Sequence, residues 1–139
     1  MSHDHNPQAG QMGDESMARN LAHQADAIWP QEQRLFDRYD LSAGARILDL
    51  GCGTGRIANP LAADGHAVVA VDNSEAMLAR VVGAETVLGD VRSLDLGRQL
   101  DAVLALSNLI NHPERSHRLD LLRVCHETLG HDGVIVGER

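Results

Sequence analysis

ILDLGCGTGR, residues 47 to 56, decides the fold: an apolar strand runs straight into three glycines at every second position, and a helical pattern follows. Gly51, Gly53 and Gly55 lack β-carbons, so they can take positive φ and let a flat ligand approach the backbone closely. The helix start beyond them is expected to present free N–H groups. A dinucleotide loop, G-x-G-x-x-G or A, would require a small residue at position 56, and this sequence has Arg56. The third glycine comes one residue early, which favours a nucleoside ligand without a pyrophosphate. No Gly-Lys-Ser/Thr follows, so a Walker-type phosphate loop is set aside.

Downstream, the alternation of strand and helix repeats. Strands are predicted at 46–50, 67–71, 86–88, 101–106 and 133–137, with helices running to about Asp64, from about Ser74 to Val82 and from Pro113 to Leu129. Pro60 predicts a kink or a late start in the first of these helices. The strands are nearly continuous apolar runs, the mark of burial on both faces. The fold class is therefore α/β: a doubly wound, mostly parallel sheet of about five strands covered by helices.

Asp72 ends the second strand, 21 positions beyond Gly51, where doubly wound nucleoside binders place a carboxylate for the ribose hydroxyls. The competing role is structural, because Asn73, Ser74 and Glu75 form an ordinary helix start where acids are favoured. Asp90, in LGDVR, follows the third strand at the carboxyl edge of the sheet. Its carboxylate can accept an exocyclic adenine N–H while the Val91 N–H donates to the ring; the alternative is a plain turn residue.

Residues 1–15 are polar and are expected to form a flexible tail. From Ser16, Met17, Leu21, Ala25 and Ile28 recur at helical spacing. Pro30 is expected to interrupt this helix and open a second one, to about Tyr39, with Leu35, Phe36 and Tyr39 inward. Residues 16–40 are thus predicted to be a helical cap on a core at 41–139.

The 139 residues fit one domain, and no apolar run reaches the roughly 20 residues of a membrane span. The start lacks the pattern of a secretory signal, so a cytoplasmic location is expected. Cys52 and Cys125 are the only cysteines and are expected to be reduced. A formal charge of −8 disfavours polyanionic partners such as nucleic acid, and one Trp, one Tyr and one Phe provide no stacking platform for bases. No histidine spacing indicates a metal site.

The set DLGCGTG at 49–55, VDNSEAML at 71–78, GDVRSLDL at 89–96, LDAVLAL at 100–106 and LGHDGVIVGE at 129–138 resembles class I S-adenosylmethionine-dependent methyltransferases, over residues 41–139. The lead-in NLAHQADAIWPQE looks like the cap of their small-molecule members. The resemblance implies S-adenosylmethionine as cofactor and a small-molecule methyl acceptor. It places Asp49 beside the methionine moiety, Gly51 to Gly55 along the cofactor, Asp72 with Asn73 at the ribose, and Asp90 with Val91 at the adenine. It puts SNLINH, 107–112, where donor methyl and acceptor meet, with Ser107, Asn108, Asn111 and His112 as polar candidates.

Methyl transfer is mainly a matter of alignment, so no universal catalytic residue is expected. His112 is the candidate base for an acceptor that must lose a proton, with His23 and Tyr39 behind it. The family's sheet usually has seven strands, and this sequence stops after its fifth. Cofactor binding is accordingly expected ahead of turnover, a binding module without turnover is the first alternative, and a dinucleotide oxidoreductase is the second. The strand at 133–137 is predicted to form an apolar sheet edge that drives self-association.

Overall fold

The computed structural model describes residues 7–36, 41, 44–106, 109 and 112–137. Five strands form one sheet: β1 (Arg46–Leu50), β2 (Ala67–Asp72), β3 (Glu85–Leu88), β4 (Leu100–Ala105) and β5 (Leu129–Gly137). Their order is β3-β2-β1-β4-β5, and every neighbouring pair is parallel. The chain starts in the middle and winds outward first to one side and then to the other. The switch in direction falls between β1 and β4, where this architecture opens a crevice at the carboxyl ends of its strands.

Side-chain alternation along the central strands builds two cores. Ile47, Ala70, Ala102, Leu104 and Val136 face α2 (Ala58–Ala63), whose Ala58 and Leu61 join them. Leu48, Leu50, Val69, Val71, Val103 and Ala105 face the other way, onto Leu121, Val124 and Cys125 of α4 (Arg115–Thr128). Burial on both faces holds for β1, β2 and β4. It fails at the edges, where β3 is largely exposed and Val134 and Ile135 of β5 are each 44% exposed. The reason is position: an edge strand has a neighbour on only one side to carry the covering helices past it.

The N-terminal expectation needs correction. One helix, α1 (Pro7–Phe36), takes the place of a tail to residue 15 followed by two helices. Pro7 sits at its first position, where a missing N–H and a fixed φ suit a helix start. Pro30 lies inside it without ending it, because proline removes one hydrogen bond while Trp29, packed against the core, holds the segment in place. The packed stripe also differs. Ala25 is buried as expected, but Met17 and Leu21 are exposed, while Ala18 is buried and Ala22 and Trp29 lie at the same helical spacing. Small side chains win here because α1 comes close to Ala76 and Ala79 around α3 (Glu75–Leu78). The side chains of Ile28, Leu35 and Phe36, and Tyr39 as a whole, lie outside the described residues.

α2 begins late, so Pro60 occupies its first turn, where proline is tolerated. α3 stops at Leu78 rather than Val82, since Asn59 captures the backbone beyond it, accepting the Val82 N–H at 2.7 Å and donating to the Arg80 carbonyl at 3.1 Å. β5 starts at Leu129, directly after α4, four residues earlier than its apolar run implies. Its pairing with β4 is irregular between Leu100 and Ala102. Among the described residues no helix is long and apolar enough to cross a membrane.

Candidate cofactor site

β1 delivers its last residues to the carboxyl edge of the sheet, and the glycine loop begins there. Gly51, Gly53 and Gly55 have φ of 65°, 58° and 91°, the left-handed region that only glycine enters freely. The loop is closed from within. The Cys52 N–H donates to the Val71 carbonyl at 2.9 Å and the Gly55 N–H to the Cys52 carbonyl at 3.1 Å. The Gly53 N–H donates to Asp72 Oδ2 at 2.9 Å. Three N–H groups of the loop therefore hold the loop itself, because a turn this tight must satisfy its own donors.

Asp72 has the structural role that its sequence position offered. Its Oδ1 accepts the Ser74 N–H at 3.0 Å while Ser74 Oγ caps α3 by accepting the Met77 N–H at 3.3 Å. Its Oδ2 pins the loop, and the side chain stays half-buried at the sheet edge. Each carboxylate oxygen can accept more than one hydrogen bond, so these contacts leave acceptor capacity for hydroxyls. Asn73 beside it is exposed.

The Asp72 carbonyl accepts the Gly89 N–H at 3.0 Å, which brings LGDVR against the same edge. Asp90 is exposed and forms a turn, its Oδ1 accepting the Arg92 N–H at 2.8 Å. Val91 is half-buried against the α4-side core. Ser107, Asn108 and Asn111 lie outside the described residues. Leu109 of the same segment is described, and it covers Gly51: a β-carbon there would stand 3.3 Å from Leu109 Cδ1. Over Gly53, by contrast, there is open space.

Asp49 is buried on the α2 face of β1 with 3% of its surface exposed. Burial pushes its carboxyl up to about 7, with Arg56 pulling the other way and Asp72 adding to the rise. Burial likewise pushes the Cys52 thiol upward, and Asp49 and Asp72 reinforce it, so this is an inert thiol. Asp49, Cys52, Arg56 and Asp72 thus act on one another around one loop.

His112 fits the role of a base poorly. Its Nδ1 already accepts the Glu114 N–H at 3.2 Å, so in the neutral ring the proton sits on the other nitrogen. Its ring stacks on His117 with centroids 3.9 Å apart.

Asn59 was not singled out from the sequence, and Arg56 only as the departure from a dinucleotide loop. Asn59 lies beneath Gly55, where its Oδ1 would be 2.4 Å from an added β-carbon, and its Nδ2 donates to the Thr54 carbonyl at 3.4 Å. Arg56 lines, with Trp29, Asn59 and Arg80, a cleft of about 620 Å³ between α1, the back of the loop and residues 80–83. The only sequence signal was their place at the loop's exit, which carries no distinctive pattern for a strut.

The model of the methyltransferase domain family matches residues 47–133, which span the loop, Asp72, Asp90 and most of the sheet. The chain belongs to the methyltransferase domain family. A TehB-like SAM-dependent methyltransferase from Corynebacterium glutamicum superposes with a TM-score of 0.70 at 27% identity, over 86% of this chain and 72% of that one. The CcbJ methyltransferase of Streptomyces caelestis gives 0.65 at 33% identity, over 76% of this methyltransferase-family chain and 47% of its own. A Geobacillus sp. (strain WCH70) protein, provisionally named a methyltransferase, is 49% identical over 47 residues, 34% of this chain. The chain spans 19% of that curated relative's length.

Proposed function

We propose that this methyltransferase-family chain binds S-adenosylmethionine at the glycine loop and serves methyl transfer to a small-molecule acceptor. The observation that carries the reading is the Gly53 N–H bond to Asp72, which sets a left-handed glycine turn and a half-buried carboxylate side by side at the switch point of a parallel sheet. The residues fit the cofactor: open space above Gly53 admits a flat nucleoside, and Asp72 retains acceptor capacity for its ribose. Asp90 and Val91 lie at the edge for the adenine, and Asp49 lies at the loop for the methionine end. Asn73, and Ser107 beyond β4, complete the assignment.

S-adenosylmethionine supplies a methyl already activated by a positive sulfur. The protein's part is to hold the donor and exclude water, and alignment alone is worth about 7 kcal/mol or more of barrier. The same reading places the protein in the cytoplasm, consistent with two buried free cysteines.

Titration calorimetry with S-adenosylmethionine, S-adenosylhomocysteine and NAD tests the reading. Binding of the first two and not of NAD is expected; tighter binding of NAD would replace the proposal with a dinucleotide enzyme. A methyl-transfer assay over amine and hydroxyl acceptors then separates an enzyme from a binding module.

A further inference from the structure

The cleft behind the glycine loop lies apart from the groups assigned to the cofactor. Thr54, Gly55 and Arg56 reach it from the loop's far side, while Gly53 and Asp72 do not line it. Gly55 marks the boundary: a β-carbon there would run into Asn59, which lines the cleft, whereas one on Gly53 would meet open space. The walls come from three elements. α1 supplies Ala25 and Trp29, α2 supplies Ala62 and Ala63, and the segment after α3 supplies Arg80 and Val82. The alanines leave the room. A cleft of about 620 Å³ is of a size that holds a small molecule, and a mostly apolar lining with a few converging polar groups is the usual make-up of such sites.

The charge of the cleft is one-sided. Arg56 and Arg80 both line it, and no carboxylate does among the described side chains. Arg56 is half-buried, and its charge also reaches Asp49. Arg80 is exposed and forms no ion pair among the described residues, whereas Arg46, Arg92 and Arg98 each have an acidic partner. With twenty acids to twelve lysines and arginines in the chain, partners are plentiful, and Arg80 stands without one at an apolar hollow. Glu15 lines the adjoining hollow along α1 with Arg19 and Arg80 and does not pair with Arg80. The backbone under Arg80 is fixed, since its carbonyl accepts the Asn59 amide at 3.1 Å.

We infer that this cleft is a second binding site, for a small molecule that joins an apolar ring to a carboxylate, with Arg80 as the residue that selects the charge. The ring lies against Trp29 and the alanines, and the carboxylate meets the guanidinium of Arg80, whose planar fork suits two oxygens. A chain of net charge −8 repels anions at long range, so the preference for an acid is set locally by the two arginines. The inference goes beyond the proposed cofactor and does not rest on it.

Trp29 is the single tryptophan of the chain and forms one wall, so its fluorescence reports occupancy of the cleft. The test titrates the full chain with phenylacetate and, as the uncharged counterpart, phenylacetamide. A saturable change in the millimolar range is expected with the acid, and binding about fivefold weaker with the amide, the order of an ion pair with one partner open to water. Arg80→Gln should bring the two ligands close to parity with the melting temperature unchanged, because the side chain is exposed and pairs with nothing described. Val82→Glu, at a lining position 70% exposed, places an acid in the cleft and should likewise remove the preference for phenylacetate. Saturating S-adenosylhomocysteine should leave the phenylacetate titration in place. No saturable change up to about 20 mM, equal binding of acid and amide by the wild type, or a full preference retained in Arg80→Gln overturns the inference. Displacement of phenylacetate by S-adenosylhomocysteine overturns it too, since the cleft would then be part of the cofactor's own pocket. If phenylacetate binds as expected and S-adenosylhomocysteine binds nowhere, the cofactor reading falls and the second site stands.

Discussion

The Gly53 N–H and the Asp72 carboxylate are joined at 2.9 Å across 19 residues of sequence, so the side chain proposed to hold the ribose also shapes the glycine loop. Loop geometry and ligand recognition cannot be varied separately at this point. Asp72→Ala should lower stability by about 2 kcal/mol, the range for losing charge-assisted bonds to backbone donors at a half-exposed site. It should weaken S-adenosylhomocysteine binding by about 1–3 kcal/mol in addition. Thermal unfolding and calorimetry on the same sample separate the two effects, and loss of affinity with an unchanged melting temperature would mean that the loop holds its shape unaided.

Gly53 and Gly55 should respond differently to the same change. At Gly53 a β-carbon meets only open space, so Gly53→Ala carries about 1 kcal/mol for its positive φ and removes binding by filling the ligand's approach. At Gly55 the β-carbon would collide with Asn59 Oδ1, so Gly55→Ala must displace the strut and should destabilise by more than twice as much. Denaturant midpoints rank the two; equal losses would show that Asn59 moves aside freely.

Asn59→Ala should release residues 80–83 from the loop's exit. Three bonds end on this one side chain, to Thr54, Arg80 and Val82, and all are partly accessible to water. A loss of about 1–3 kcal/mol is expected, with faster amide exchange at Val82 as the local signature. An unchanged Val82 exchange rate would remove Asn59 from this role.

The free protein should lose stability as pH rises from about 4 to 7. Asp49 titrates near its usual value when unfolded and is pushed up to about 7 when folded, so the folded state holds the extra proton in that window. Stability from this group is then fully present at low pH and is lost as pH climbs, by about 4 kcal/mol at most. Melting curves of wild type and Asp49→Asn across this range check the sign; parallel curves would show that Asp49 ionises at no penalty.

Val134 and Ile135 lie on the outer strand, with β4 on one side and no strand on the other among the described residues. A second copy pairing along β5 is the expected occupant. Elution should shift above 15.0 kDa as concentration rises, and Ile135→Lys should shift it back. A monomer at every concentration would refute pairing.

The sheet and its loop were legible because their signals are local. Apolar runs marked the strands, glycine spacing marked the turn, and the position of Asp72 after the second run followed from counting. The N-terminal helix was not legible in detail, since Met17 and Leu21 advertise a stripe, whereas the buried positions of α1 include Ala18 as well as Ala25. The end of α3 was set by Asn59 from another element, and no pattern within 74–82 encodes that. Asp49 could be placed beside the ligand by resemblance, but the upward push on its carboxyl comes from burial between strands on either side.

Placing β1 at the centre of the sheet has a further consequence for how damage spreads. Hydrogen exchange typically begins at edges and termini, and here both edges, β3 and β5, are two strands away from the one that carries the loop. Fraying of either edge opens amides without passing through Leu48 or Leu50, so the glycine turn should belong to the slowest-exchanging unit of the molecule. Sequence drift in the outer strands can then accumulate while the turn keeps its shape.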